Sequence, residues 1–160
     1  METVKFRRLS EKALLPTRAT EGSACFDLYA DTSRNYMAES PLFSPALPPY
    51  LVAATGIAIE LPPGHVGLIC SRSGLAARDG LFVLNAPGVI DADYRGELKV
   101  ILGWLPSSWT WPEDSNHIRI NHGMRIAQLM ILPLTNIRAE EVDALSETAR
   151  GTNGLGSTGV

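Results

Sequence analysis

Arg72, Ser73 and Gly74 sit together in Cys-Ser-Arg-Ser-Gly-Leu-Ala, residues 70–76, directly after an apolar run. The arginine offers a planar fork of donors and the serine a hydroxyl. The backbone near the glycine offers outward amides at a helix start, and together these suit an oxyanion or a phosphate. A helix N-cap with a surface arginine uses the same residues, so both readings stay open. The richest segment is Leu-Asn-Ala-Pro-Gly-Val-Ile-Asp-Ala-Asp-Tyr-Arg-Gly-Glu-Leu-Lys-Val, 84–100. Two strand-like arms flank a turn at Asp93 to Gly96. Asp91 and Asp93 lie two apart and face one side of a regular strand. Tyr94 stands at the bend, where an aromatic can form a platform; a plain hairpin with polar turn residues fits equally.

Two more polar residues lie among apolar neighbours. Gln128 falls in Gly-Met-Arg-Ile-Ala-Gln-Leu-Met-Ile, 123–131. Strand alternation puts Ile126, Gln128 and Met130 on one face and Arg125, Ala127, Leu129 and Ile131 on the other. A buried glutamine needs a hydrogen-bond partner. Asp27, in Phe-Asp-Leu-Tyr-Ala, is costly to bury unpaired. The tail from Arg150 to Val160 is rich in glycine. Gly154, Gly156 and Gly159 match the spacing of a dinucleotide-binding loop, and Gly151, Gly156 and Thr158 nearly match a P-loop, with Ser157 in place of lysine. Both motifs need a strand before and a helix after. Neither flanks this stretch, so both matches are coincidences of spacing, and a tail this rich in glycine reads as flexible. His65, His117 and His122 are scattered without metal-ligand spacing. No nucleophile elbow is present, so covalent hydrolysis is not indicated.

These residues need elements to position them, and the apolar runs are short and closely punctuated. Val4–Leu9, Leu51–Leu61, His65–Cys70, Leu81–Leu84, Leu98–Leu102 and Arg125–Leu132 read as strands separated by Gly and Pro. That pattern predicts a sandwich or barrel rather than βαβ units. One short helix is expected at Ser73–Arg78, capped by Ser73 and ended by Gly80. Segments 33–49 and 105–116 read as long loops, with Trp109 and Trp111 of the second expected to fold back on the core. At 160 residues the chain is read as one domain. The net charge of −3 gives no general reason to expect nucleic-acid binding. Cys25 and Cys70 make neither a disulfide framework nor a zinc site and are expected to be buried thiols. The N-terminus lacks a run long enough for a signal peptide or membrane span, so an intracellular location is expected.

In chain order the segments resemble the five motifs of the trimeric deoxyuridine triphosphatases (dUTPases). They are Ser-Ala-Cys-Phe-Asp-Leu-Tyr-Ala (23–30), Ser-Arg-Ser-Gly-Leu-Ala (71–76), Asn-Ala-Pro-Gly-Val-Ile-Asp-Ala-Asp-Tyr-Arg-Gly-Glu (85–97), Gly-Met-Arg-Ile-Ala-Gln-Leu (123–129) and Arg-Gly-Thr-Asn-Gly-Leu-Gly-Ser-Thr-Gly (150–159). The resemblance implies an all-β, jelly-roll-like domain over 1–145 with a flexible lid at 146–160. It also implies a homotrimer whose sites each draw on three chains, with magnesium as cofactor and dUTP as substrate, hydrolysed to dUMP and pyrophosphate. Such a reaction keeps uracil out of DNA and supplies the dTMP precursor.

Residue by residue, the resemblance makes Asp91 the general base on the attacking water. Gln128 helps hold that water and the α-phosphate. Arg72, Ser73 and Gly74 hold phosphate oxygens. Asn85 and the backbone from Gly88 through Val89 and Ile90 to Tyr94 read uracil, and Tyr94 packs on the deoxyribose to exclude a 2′-hydroxyl. Asp93 shapes the turn. Asp27 binds a magnesium-coordinated water. Arg150, Ser157 and Thr158 close on the γ-phosphate, with Gly156 and Leu155 in the same lid. Three positions depart from the family pattern: Cys25 for glycine, Ser71 for proline and Leu155 for phenylalanine. The last covers the base without aromatic stacking. Two other functions share these features. A dCTP deaminase shares the fold but activates water at the base, and a dUTPase-like partner-binding module would use the long loops.

Overall fold

The computed structural model describes residues 2–34, 42–43, 50–105 and 118–153. In chain order these form β1 (Lys5–Arg8), β2 (Phe26–Tyr29), a 3₁₀ turn (Thr32–Arg34), β3 (Leu42–Phe43), β4 (Tyr50–Glu60), β5 (His65–Cys70), α1 (Ser73–Asp79), β6 (Leu81–Val83), β7 (Gly88–Ile90), β8 (Glu97–Trp104), β9 (Ile118–Arg119) and β10 (Arg125–Pro133). Two four-stranded antiparallel sheets, β1-β4-β8-β6 and β2-β10-β5-β7, share one core. The arrangement is the expected jelly-roll-like sandwich.

Alternation explains the sandwich. On β8, Leu98, Val100 and Leu102 are fully buried while Lys99 between them is exposed. Leu28, Ile69 and Leu129 supply the facing layer from the other sheet. Inward apolar side chains from both sheets interdigitate, as aligned sandwiches require. The six strands expected from sequence all form, to within a few residues at their ends.

The long loop at 33–49 is not wholly irregular. Thr32–Arg34 is a 3₁₀ turn, and Leu42–Phe43 pairs with Ile118–Arg119. Trp109 and Trp111 lie outside the described residues. The helix ends where expected, at Gly80, whose φ of 64° is the left-handed conformation that glycine adopts freely. Its start differs. Arg72, not Ser73, is the N-cap, and no side chain caps the first turn. Ser73 is therefore the first helical residue, its hydroxyl not spent on capping.

Candidate active site

Asp27, Arg72, Ser73, Gly74 and Gln128 come from three separate stretches of chain and line one open cleft of about 350 Å³. The register of the second sheet brings them together. On β10, Gln128 pairs with Asp27 on β2 and with Cys70 on β5. Residues directly opposite one another share a face, so all three project to the same side. The chain leaving β5 then carries Arg72, Ser73 and Gly74 over that face into α1.

The cleft is organised around Asp27, whose side chain is 13% exposed. Arg72 Nε donates to its Oδ1 at 3.1 Å, and Arg125 Nη1 donates to its Oδ2 at 3.3 Å. Arg72 Nη1 also donates to the Arg125 carbonyl at 3.1 Å. Asp27 thus holds two guanidinium groups side by side, pairings that a half-buried carboxylate favours. Gln128 Nε2 donates to the Ser71 carbonyl at 2.8 Å, leaving its second N–H and its oxygen toward the cleft. Ser71 Oγ accepts the Val83 N–H at 2.9 Å, so Ser71 ties the end of β5 to β6. A Cβ built on Gly74 meets nothing within 4 Å. Packing within the chain therefore does not require glycine there, and the space above it is open.

Arg125 belongs to this cleft, contrary to the face that alternation assigns it. β10 carries a bulge between Arg125, opposite Tyr29, and Ala127, opposite Leu28. The extra residue, Ile126, turns into the core at 1% exposed. Arg125 is thereby re-aimed to the face of Asp27 and Gln128, the kind of redirection that bulges bring about beside functional sites. No local signal in the sequence marks the bulge.

Cys25 and Cys70 are free and half-buried rather than buried. Cys25 lines the cleft. Burial pushes its thiol pKa up, with a further push from nearby Cys70, so it is held as the unreactive thiol.

The third-motif residues lie elsewhere. β7 and β8 are not the two arms of a hairpin, because β7 pairs with β5 in one sheet and β8 with β4 and β6 in the other. The connecting turn runs from Asp91 to Tyr94, closed by the Tyr94 N–H donating to the Asp91 carbonyl at 3.1 Å. Asn85, just before the cis Ala86–Pro87 bond, packs on Gly88 at the start of β7. Val89, Asp91, Asp93 and Tyr94 are exposed, and Ile90 is half-buried. None of these residues lines the cleft of Asp27 and Arg72. Ile90 pairs with Gly67, so Asp91 lies level with the start of β5, whereas Arg72 follows its end. At the rise of a strand the two are roughly 20 Å apart along the sheet.

Arg150 is exposed and also outside the cleft, its Nε donating to the Asn153 carbonyl at 3.0 Å. Leu155, Gly156, Ser157 and Thr158 lie outside the described residues. Among the described residues, no group of three or more His, Cys, Asp or Glu could cage a metal. No helix among them is long and apolar enough to cross a membrane.

The jelly-roll-like sandwich gathers arginines, a free serine hydroxyl and an open glycine at one sheet end, donors of the kind that suit an anionic ligand. The dUTPase family model matches residues 11–159. The chain belongs to the dUTPase family. It is 45% identical to the deoxyuridine 5′-triphosphate nucleotidohydrolase of Corynebacterium glutamicum over 99% of this chain and 96% of that one. It is similar to the dUTPase of Staphylococcus bacteriophage 80alpha, solved with dUpNHpp, at 28% identity over the full length of both chains with a TM-score of 0.81. It is also similar to a variant of the dUTPase of S. aureus phage phi11, at 26% identity over 91% of this chain and 99% of that one with a TM-score of 0.72. That structure concerns the coordination of a structural Mg(II) ion.

Proposed function

We propose that the protein hydrolyses dUTP to dUMP and pyrophosphate at a site completed by more than one copy of the chain. The carrying observation is the cleft that unites Asp27, Arg72, Ser73, Gly74 and Gln128 in a chain of this family. Arg72 and the backbone amides of Ser73 and Gly74 supply donors to phosphate oxygens, and the bare Gly74 lets the triphosphate approach the backbone. Gln128 is anchored through one N–H and keeps the other for the α-phosphate, while its oxygen orients the attacking water. Asp91 from a second copy accepts the water's proton as oxygen bonds to the α-phosphorus and pyrophosphate departs. The separation of Asp91 from Arg72 within one chain supports this shared site and a homotrimer, since a cyclic assembly sets one copy's turn against another's cleft.

Magnesium fits this site as a partner of the substrate. Each oxygen of Asp27 accepts one arginine and retains a lone pair, which suits it to a metal-bound water rather than to the ion itself. When bound, magnesium neutralises phosphate charge. Asn85, Gly88, Val89, Ile90 and Tyr94 form the uracil and deoxyribose side. Arg150 and the segment with Leu155, Gly156, Ser157 and Thr158 act as the lid over base and γ-phosphate.

Pyrophosphate release from dUTP, UTP, dCTP and dTTP, with and without magnesium, tests the reading. Release specific to dUTP is expected. Ammonia release from dCTP identifies a deaminase instead.

A further inference from the structure

Tyr94 is 40% exposed, yet the hydroxyl end of its ring is held. Its hydroxyl donates to the Glu97 carbonyl at 2.8 Å. The hydroxyl end of its ring lies against Gly96, where an added Cβ would stand 2.6 Å from Cζ and 2.9 Å from Cε2. What fixes Glu97 therefore fixes Tyr94.

The Glu97 carboxylate, 10% exposed, is bound from two sides. Arg34 donates through Nε to Oε1 at 3.1 Å and through Nη2 to Oε2 at 3.5 Å. The Gly56 N–H donates to Oε1 at 2.8 Å. Gly56 sits in the irregular stretch of β4 between Ala54 and Ala58, where the ladder to β8 is interrupted and an amide would otherwise lack a partner. Arg34 Nη1 donates to the Leu9 carbonyl at 2.9 Å, and the Leu9 N–H donates to the Gly56 carbonyl at 2.7 Å. A ring of hydrogen bonds thus joins the 3₁₀ turn, the end of β1, the β4 irregularity and the start of β8.

We infer that Arg34 and Glu97 are positioning residues for nucleotide selection: they hold Tyr94 rigid so that it excludes a sugar carrying a 2′-hydroxyl. This rests on the proposed role of Tyr94 against deoxyribose. The physical reason is tolerance. Excluding one oxygen atom requires a wall held to within about 0.5 Å, which an exposed tyrosine attains only when its support is locked. Neither Arg34 nor Glu97 touches substrate in this scheme. Their charge-assisted bonds supply the stiffness.

The test is steady-state kinetics on dUTP and UTP for Arg34→Met, Glu97→Ala, Arg34→Lys and Tyr94→Ala, with thermal melting as a check on folding. Arg34→Met is expected to raise the UTP/dUTP ratio of kcat/KM roughly tenfold, chiefly through KM for UTP. Glu97→Ala is expected to act in the same direction. Arg34→Lys, which keeps one charged donor, is expected to recover part of the discrimination. Suppose Arg34→Met and Glu97→Ala fold and keep the parent ratio while Tyr94→Ala loosens it. The positioning role is then wrong, and the role of Tyr94 stands. An unchanged ratio in Tyr94→Ala overturns the tyrosine reading and this inference with it. Parallel losses on both nucleotides in the Arg34 and Glu97 variants show a structural role alone and also overturn it.

Discussion

Asp91 and Arg72 stand at opposite ends of β5 in one chain, the first level with its start and the second just past its end. In the proposed roles, Asp91 as base and Arg72 as a phosphate donor, the two meet one substrate only when a second copy supplies one of them. Asp91→Asn is expected to slow hydrolysis roughly 10²–10⁴-fold, as loss of a general base does. Arg72→Ala is expected to cripple substrate binding. Co-expressing the two variants is expected to restore activity, because some interfaces in a cyclic trimer then pair an intact cleft with an intact Asp91. At most about one site in three recovers in each mixed ring. Mixed enzyme no more active than its parents would count against the shared site.

Arg125 and Arg72 share the carboxylate of Asp27, and Arg125 reaches it through the β10 bulge. Arg125→Ala removes a positive charge from the cleft and frees one oxygen of Asp27. The expected result is a rise in KM for dUTP of roughly tenfold, about the worth of one charge-assisted hydrogen bond, with a smaller loss in kcat. Kinetics alongside pyrophosphate inhibition measure it. Unchanged KM and unchanged inhibition would place Arg125 outside the phosphate site.

Much of this architecture is legible in the residues, for identifiable reasons. β5 is bounded as expected at His65 and Cys70, because Pro-Pro-Gly precedes it and a polar stretch follows. Gly80 stops the helix by its own backbone preference. The features that were not legible depend on long-range pairing. β2 is four residues long with a charge inside, and pairing with β10 rather than local propensity makes it a strand. The face of Arg125 depends on a bulge that register sets. The arms around Asp91 read as a hairpin because local turn residues cannot reveal that β7 pairs with β5 and β8 with β4. The Arg34–Glu97 pair joins residues 63 positions apart and carries no local pattern.

Gly74 offers a test that separates folding from function. A methyl group there meets no atom of the chain within 4 Å. Gly74→Ala lies within the first turn of α1 and is expected to raise stability by about 0.5–1 kcal/mol through reduced freedom of the unfolded chain. The same methyl would occupy the path of the phosphates, so affinity for dUTP is expected to fall. Denaturant unfolding and nucleotide titration on one sample decide it. Affinity equal to that of the parent would show that nothing approaches Gly74 closely.

Asp31 gives the fold an acid-sensitive joint. It is fully buried, where desolvation alone would raise its pKa. Hydrogen bonds from the Ser10 hydroxyl, the Ser33 hydroxyl at 2.5 Å and the Ser33 N–H at 3.1 Å, with His122 at 3.6 Å, outweigh burial and hold it below the ordinary carboxylate value. A depressed folded pKa contributes stability that is complete above the unfolded value of about 4 and is lost as pH falls toward the folded one. Asp31→Asn is expected to cost roughly 1–3 kcal/mol at pH 7, since it disturbs a buried set of charge-assisted hydrogen bonds. The gap between parent and variant is expected to narrow below about pH 4, as the unfolded parent takes up its proton. Urea midpoints at a series of pH values measure both effects. A gap of constant size from neutral to acid pH would show that the Asp31 charge does not stabilise the fold.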